Sequence, residues 1–287
     1  SRTPGANERN ADWSPDGKHI AYISDDSGET EVWLYDIANG EKKQLTTDND
    51  TYIRNLRWSP DSKKILYTDR KNRIVEVDAG AGTKHVLQQN PEGEFYHVDY
   101  SPDSRWITYT KSGANNMSVV YVYDIAAGKE YAVTEKWYDS SSPIFSADGK
   151  YLIFNSDRDF NPIYSQTEWN HAYNRMGGLY MALLQNSTPS PLLPKDDSVK
   201  VDTKDEKPSG KESEANTTKI DVDGIQSRLI KLPLQAGYYR PIYSDGKNVW
   251  YANSGAVKAF NLADKEEKTV VAGASMAVAP GGKKAAF

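Results

Sequence analysis

The segment closest to a nucleophile motif is Gly-Ala-Ser-Met-Ala at residues 273–277, centred on Ser275. A serine between two small residues becomes an exposed nucleophile where a strand turns sharply into a helix. Here the segment precedes a predicted strand instead of opening a helix. We therefore predict no catalytic role for Ser275, and we assign no other catalytic residue in this chain.

Acidic residues and histidines are the groups that would bind a metal or transfer protons. Asp-Val-Asp-Gly at 221–224 resembles the start of a calcium loop but lacks the rest of that loop, including the Glu at its twelfth position. The carboxylates at 25–26 and 157–159 follow predicted second strands, where Asp is common in turns. The four histidines are scattered without metal-ligand spacing: His19, His85, His97 and His171. We predict no metal site and no cofactor.

Composition excludes several other classes of function. The net charge of −5 argues against a nucleic-acid surface, which usually needs a basic stripe. No apolar run approaches the roughly 18–20 residues that span a bilayer, so no membrane partner is predicted. The chain contains no cysteine, which excludes disulfides, thiolate metal sites and a cysteine nucleophile.

A repeated phrase indicates which elements must position any functional residue. Trp-Ser-Pro-Asp-Gly-Lys at 13–18 returns with small changes at 58–63, 100–105 and 145–150, and more weakly at 243–247 and 278–283. The first four copies lie 45, 42 and 45 residues apart. A period of this length is typical of one four-stranded propeller blade per repeat.

The phrase also has the chemistry of a tight turn. Pro presets φ near −65° at the second position, Asp hydrogen-bonds its own backbone, and Gly accepts positive φ without steric cost. A short β-branched or aromatic strand follows each copy, so the phrase predicts the hairpin between the first two strands of a blade. Ser62 and Ser104 replace this Gly, and we expect those two turns to be slightly strained or of another type.

These patterns predict an all-β fold, a single β-propeller domain over residues 1–287. The intact ring is expected to have six or seven four-stranded blades, of which five and part of a sixth can be identified. The aromatic-rich insertion at 157–178 is expected to be ordered, and the polar insertion at 195–219 mobile. The stretch before Asn10 is predicted to serve as a closing outer strand. Because the last blade stops after two strands, we expect the chain to be an excerpt of a longer protein.

The rim of the central channel is the predicted binding site, because loops at one face of a scaffold carry function. Cations, aromatics and amides recur three and four residues before the repeat aromatic. Guanidinium and imidazole groups there would hold peptide carboxylates or carbonyls by charge-assisted hydrogen bonds. The predicted rim residues are Arg9, Arg54, Tyr96, His97, Tyr239 and Arg240. The alternative is that each satisfies backbone groups of a neighbouring loop.

The repeat, with a Ser-Asp or Thr-Asp step at 24–25, 68–69 and 156–157, resembles the TolB and tricorn type of propeller repeat. Three longer segments resemble tricorn protease homologs more specifically. They are the opening at 1–9, the insertion at 156–164 with Glu-Trp-Asn at 168–170, and Lys-Ile-Asp-Val-Asp-Gly-Ile at 219–225 with the following Arg228. The first of these resembles the start of the second propeller in that family.

The resemblance implies a large serine peptidase in which two propellers precede a PDZ domain and the catalytic domains. Its second propeller, of seven blades, is expected to guide peptides to the active site. Peptides and the other domains of the parent chain are then the implied partners, with a homo-oligomer as an option. No catalytic residue of that family can be carried onto this chain.

Two other readings remain open at this point. An independent TolB-like scaffold would bind a protein partner at its channel face. The propeller of a prolyl-oligopeptidase-type enzyme would need an α/β-hydrolase domain, of which the sequence shows no trace. The resemblance implies a cytoplasmic location, and the alternative is the periplasm.

Overall fold

The computed structural model describes residues 3–113, 115–159, 163–164, 171–172, 176–193, 217–279, 282 and 284–287. Five four-stranded antiparallel sheets follow one another along the chain, which confirms the predicted blades. Blade 1 comprises β1 (Glu8–Trp13), β2 (His19–Ser24), β3 (Glu31–Asp36) and β4 (Lys42–Gln44). Blade 2 comprises β5 (Ile53–Trp58), β6 (Lys64–Asp69), β7 (Arg73–Asp78) and β8 (Lys84–Gln89). Blade 3 comprises β9 (Phe95–Tyr100), β10 (Trp106–Ser112), β11 (Ser118–Asp124) and β12 (Lys129–Ala132).

Blade 4 is interrupted twice but keeps the same order of strands. It comprises β13 (Ser140–Phe145), β14 (Tyr151–Ser156), β17 (Gly178–Leu183) and β18 (Leu229–Lys231), with the small ribbon β15 (Ile163–Tyr164) and β16 (His171–Ala172) between β14 and β17. A 3-10 helix at Ile225–Arg228 leads into β18. Blade 5 comprises β19 (Arg240–Ser244), β20 (Asn248–Asn253), β21 (Ala256–Asn261) and β22 (Glu266–Ala272), and a two-stranded sheet of β23 (Ala277–Val278) and β24 (Ala285–Ala286) follows.

In blades 2 to 4 the repeat aromatic joins the blade to the one before it. Trp58 is buried in a cluster with the apolar side chains of blade 1, and its indole Nε1 donates to the Asp12 carbonyl at 3.1 Å. Tyr100 packs on blade 2 in the same way, and its hydroxyl donates to the buried Glu76 at 2.9 Å. Phe145 packs on the strands of blade 3. The aromatic of the repeat therefore stabilises the contact between blades as well as its own sheet.

The hairpin turns behave as the sequence predicts. Gly17 and Gly149 have φ of 72° and 67°, and the replacements Ser62 and Ser104 are held at 60° and 61°. This left-handed region is unfavourable for a residue with a side chain. In return, each serine hydroxyl accepts a hydrogen bond from the turn of the preceding blade. Asp16 N donates to Ser62 Oγ at 3.0 Å, and Asp61 N donates to Ser104 Oγ at 3.3 Å.

Substitutions at Ser62 separate these two effects. Ser62→Ala keeps the left-handed backbone and loses the hydrogen bond to Asp16, so it is expected to destabilise the fold by about 1 kcal/mol. Ser62→Gly loses the same bond but relieves the backbone strain, so it is expected to be about 1 kcal/mol more stable than the alanine variant. Urea unfolding of both variants measures the difference, and equal stabilities would show that the turn is unstrained.

The two insertions and the first residues complete the comparison with the sequence. Most of 157–178 and of 195–219 lies outside the described residues, so the predicted order and mobility remain untested there.

The predicted closing strand before Asn10 is wrong for the part that is described: residues 3–7 form no strand, and Glu8 instead pairs with Ser24 inside blade 1. Residues 8 and 9 therefore belong to the innermost strand β1, because their pairing continues the ladder between β1 and β2.

Within the described residues, no helix has the length and apolar character needed to cross a bilayer.

Candidate functional site

The innermost strands begin at one end of the propeller, which we name the channel mouth (residues 8–10, 53–55, 95–97, 140–142 and 240). Each of these strands carries a β-bulge. In three of them the residue three positions before the repeat aromatic has a left-handed backbone: Asn10 at φ 52°, His97 at 53° and Ser142 at 57°. Bulges re-aim side chains and are common beside functional sites. The repeated backbone strain makes the channel mouth the candidate functional site.

A cavity of about 460 Å³ lies against the innermost strands of blades 1 to 3. Amides, charged groups and one aromatic ring line much of its wall: Asn10, Asp12, Asn55, Arg57, Tyr96 and His97. Two of the six predicted rim residues, Tyr96 and His97, thus share one partly polar space with residues of β1 and β5. Such a space suits a flexible polar ligand better than an apolar cofactor.

Arg9 and Arg70 sandwich one aromatic ring at the mouth. Their guanidinium carbons lie 4.0 Å and 4.9 Å from the centre of the Tyr52 ring. Arg9 Nη2 also donates to the carbonyl of Ile53 at 3.1 Å, which ties blade 1 to blade 2. Its Nε and Nη1 are buried and have no hydrogen-bond partner among the described residues. Stacking on Tyr52 holds the charge of Arg9 in place through cation–π attraction.

Arg54 is paired with an acid. Its Nη1 forms an ion pair with Glu94 Oε2, and Tyr96 hydrogen-bonds to the same carboxylate. The Arg54 hydrogen bond is the main cause that lowers the pKa of Glu94, so this carboxylate stays ionised. Arg54 therefore positions Tyr96, whose ring is 45% exposed, and contributes little free positive charge.

His97, Ser142 and Arg240 come from three successive blades. The imidazole Nε2 of His97 lies 3.3 Å from Ser142 Oγ. Desolvation of the imidazole and, second, the positive charge of Arg240 lower the pKa of His97, so the ring is neutral near pH 7. Arg240 is exposed and has no acidic partner among the residues that the structure describes. Arg9 also has no acidic partner among the described residues, but it is held against the Tyr52 ring and the Ile53 carbonyl, whereas Arg240 is exposed.

The influence of Arg240 on His97 can be measured directly. In Arg240→Gln the pKa of His97 is expected to rise, because the positive charge of Arg240, the second of the two causes that lower this pKa, is removed. It is expected to remain below the ordinary imidazole value, because desolvation is unchanged. An NMR titration of the imidazole Cε1–H signal gives this pKa. Arg105→Gln, at an exposed turn position of blade 3, is the control; an equal shift in both variants would contradict the proximity of Arg240.

Tyr239 does not belong to the mouth, which corrects the sequence prediction. Its side chain is 3% exposed and packs edge to face on Tyr251 at 5.3 Å in the core between blades 4 and 5. Its hydroxyl donates to the Gln235 carbonyl at 2.5 Å, and its amide donates to Asn155 Oδ1. The physical reason is that β19 begins only at Arg240, so Tyr239 precedes the strand and turns into the core.

Sequence reasoning missed a charged layer one residue before the repeat aromatic. Arg57 lies between two carboxylates, 4.0 Å from Asp12 Oδ2 and 3.6 Å from Asp99 Oδ1. Asp99 is the main cause that raises the pKa of Arg57, and burial raises the pKa of Asp12 against the opposing effect of Arg57. The repeat register contained the signal, since these residues share one position in three successive copies. This layer places an ion-pair cluster deeper in the cavity than the mouth.

Exposed aromatic rings lie on the segments that connect one blade to the next, at the same end of the molecule as the channel mouth. Tyr52 is 38% exposed on the first link and Tyr238 is 64% exposed on the fourth. Trp137, on the third link, is 83% exposed, and the neighbouring Tyr138 lies under the guanidinium of Arg158 at 5.1 Å. Exposed apolar groups gathered at one face mark interaction sites. The channel mouth is thus surrounded by aromatic contact area.

The remaining candidates from the sequence lie in turns and irregular segments. Ser275 is exposed in an irregular segment before β23. Asp25, in the turn after β2, accepts a hydrogen bond at Oδ1 from Asn7 N at 2.6 Å and so holds the segment before β1. Asp221 Oδ2 accepts from Asn186 N at 2.7 Å, and residues 221–224 lead into the 3-10 helix. Within the described part of the chain, no group of three or more His, Asp or Glu side chains is arranged to hold a metal.

Comparisons with known proteins agree with this architecture. A tricorn protease homolog of Streptomyces coelicolor is 26% identical over 167 residues, which is 58% of this chain and 16% of that protein. The crystal structure of tricorn protease superposes with a TM-score of 0.77 at 17% identity, covering 94% of this chain and 27% of that one. A putative TolB from Agrobacterium tumefaciens shares the fold with a TM-score of 0.58 at 16% identity, covering 94% and 82%.

The chain thus spans well under a third of the tricorn relatives that it matches. The model of the tricorn protease second β-propeller domain matches residues 1–285, almost the whole sequence. The repeated blades, the bulged inner strands and this match lead to one conclusion: the chain belongs to the family of tricorn protease second β-propeller domains.

Proposed function

We propose that this chain is the non-catalytic second propeller of a tricorn-like serine peptidase and that it guides peptide substrates through its central channel. The observation that carries the proposal is the channel mouth. There, strained inner-strand residues, guanidinium groups and exposed aromatic rings surround one polar cavity. Guanidinium and imidazole groups hydrogen-bond peptide carbonyls and carboxylates, and aromatic rings offer contact area with little loss of side-chain entropy.

The chemistry itself is proposed to belong to other domains of the parent protein. The tricorn relatives named above are described as a protease and a protease homolog, and this chain matches a small part of their length. A PDZ domain and the catalytic domains of the same parent are the proposed partners. Self-association and a cytoplasmic location follow from the resemblance alone and belong to the same proposal, with the periplasm as the alternative location.

Peptide hydrolysis by the purified chain and by its full-length parent tests the division of labour. We expect hydrolysis only in the parent, and we expect a serine-directed inhibitor to abolish it. Inhibitor-sensitive hydrolysis by the chain alone would contradict the proposal and return attention to Ser275. Inactivity of both would favour the alternative, an independent TolB-like scaffold that binds a protein partner at its channel face.

A further inference from the structure

We propose that Arg240, His97 and Ser142 form a carboxylate subsite at the channel mouth. The inference deepens the proposed function and rests on it: among passing peptides, those that present a carboxylate at the mouth are held there. The three residues occupy the same position, three before the repeat aromatic, in blades 5, 3 and 4. They belong to the innermost strands of three successive blades; His97 contacts Ser142, and the charge of Arg240 lies close enough to His97 to lower the pKa of its imidazole.

Charge is the first argument. Among the described residues, Arg54 is neutralised by Glu94 and Arg57 is shared between Asp12 and Asp99. Arg9 has no acidic partner there, but its guanidinium is stacked on Tyr52 and bound to the Ile53 carbonyl. Arg240 has no such acid in the described part of the chain and stands exposed at the start of β19. A guanidinium group presents five donors in a fork that matches a carboxylate in two parallel hydrogen bonds.

The hydrogen-bond chemistry of His97 and Ser142 is the second argument. The contact of 3.3 Å between Nε2 and Oγ can be made in two ways. If Ser142 donates to Nε2, the Nδ1–H of the neutral imidazole is left as a donor. If Nε2–H donates to Ser142, the serine hydroxyl hydrogen is left as a donor. In either tautomer one hydrogen remains for an incoming oxygen.

Backbone strain is the third argument. Both His97 and Ser142 are held at left-handed φ, 53° and 57°, on their bulges. A residue with a side chain pays for this conformation in stability, and such residues concentrate where a side chain must be aimed. Neither bulge is needed to form the sheet, because the ladder resumes on both sides of it. The strained backbone thus fixes how these two side chains are presented at the mouth.

Imidazole NMR signals of the 287-residue chain provide the test, because only four histidines contribute. The probes are three acetylated tripeptides: trialanine as the free acid, trialanine as the amide, and an amide with a central glutamate. The free acid is expected to shift the His97 signal and to bind about tenfold more tightly than the trialanine amide, as one charge-assisted interaction implies. The glutamate amide shows whether a side-chain carboxylate serves equally well.

Variants assign the effect to the subsite. Arg240→Gln is expected to reduce the affinity for the free acid to that for the amide, and Arg240→Lys to restore part of it. Arg105→Gln, on the opposite end of blade 3, is expected to change nothing. The signals of His19 and His85 report whether each variant keeps its fold. Equal binding of free acid and amide, or no effect of Arg240→Gln, would overturn the subsite.

A long unfolded peptide in the same samples separates this inference from the proposed function. If the long peptide binds equally well as acid and amide, the guiding function stands and the subsite is wrong. If the short acid binds at His97 but the long peptide does not bind, the subsite stands and the guiding function is wrong. Absence of binding by every probe would overturn both.

Discussion

Replacing Gly82 by alanine is expected to destabilise the propeller by about 3 kcal/mol, the sum of left-handed strain and overpacking. Gly82 ends the turn between β7 and β8 with φ of 73°, and its amide donates to the Asp78 carbonyl at 2.8 Å. A Cβ atom at this position would lie 2.2 Å from the backbone carbonyl oxygen of Leu45 in blade 1. Because backbone cannot swing aside as a side chain can, blades 1 and 2 would have to separate.

Gly128 is the matched control, since it occupies the same turn of blade 3. Its φ is 64°, its amide donates to the Asp124 carbonyl at 2.9 Å, and a Cβ there would meet only the Tyr123 hydroxyl at 3.8 Å. Gly128→Ala is therefore expected to cost about 1 kcal/mol, the left-handed strain alone. Urea unfolding of both variants measures the costs. Equal losses would show that close contact between blades 1 and 2 does not hold the ring together.

Replacing Ala11 by tryptophan is expected to lower hydrolysis of long peptides by the parent peptidase on the order of tenfold, because one steric obstacle costs about 1–3 kcal/mol. Ala11 is exposed on β1 and lines the cavity of about 460 Å³. An indole there narrows the route that a peptide would take. Hydrolysis of a small chromogenic substrate that reaches the active site by diffusion is expected to be unchanged.

Ala127→Trp provides the control for this experiment. Ala127 is equally exposed but lies in the turn between β11 and β12, away from the innermost strands. This variant is expected to hydrolyse long peptides like the unmodified enzyme. Loss of activity toward both sizes of substrate in Ala11→Trp would indicate a folding defect. Unchanged activity toward long peptides would contradict passage through the channel.

Local turn chemistry explains why so much of the fold was predictable. The Pro-Asp-Gly turn sets its own backbone angles, so the positive φ of Ser62 and Ser104 followed from the residues that replace glycine. Strand type and order followed from the period of the repeat. The wrong prediction was the closing strand before Asn10, because its pairing partner depends on a ladder that the repeat phrase does not specify.

The site was predictable only where the repeat register was kept. Arg54 and His97 lie near the start of innermost strands, where the register predicts them, and their role in binding stays a prediction. Tyr239 was misplaced because β19 starts two residues later, relative to the repeat aromatic, than the other innermost strands. The ion pairs of Arg57 with Asp12 and Asp99 join three different blades, and their distances depend on how the blades rotate against one another. No spacing along the chain encodes that rotation.

The most direct test of the central claim is to map where an unfolded peptide binds. The peptide carries a benzophenone group, is irradiated with the 287-residue chain, and the cross-linked residues are identified by mass spectrometry. We expect the cross-links to concentrate at the channel mouth and its aromatic links, at residues such as Tyr96, His97 and Tyr238. Cross-links concentrated on the hairpin turns at the opposite end, or on the outer strands of the blades, would contradict the role of the channel in guiding peptides.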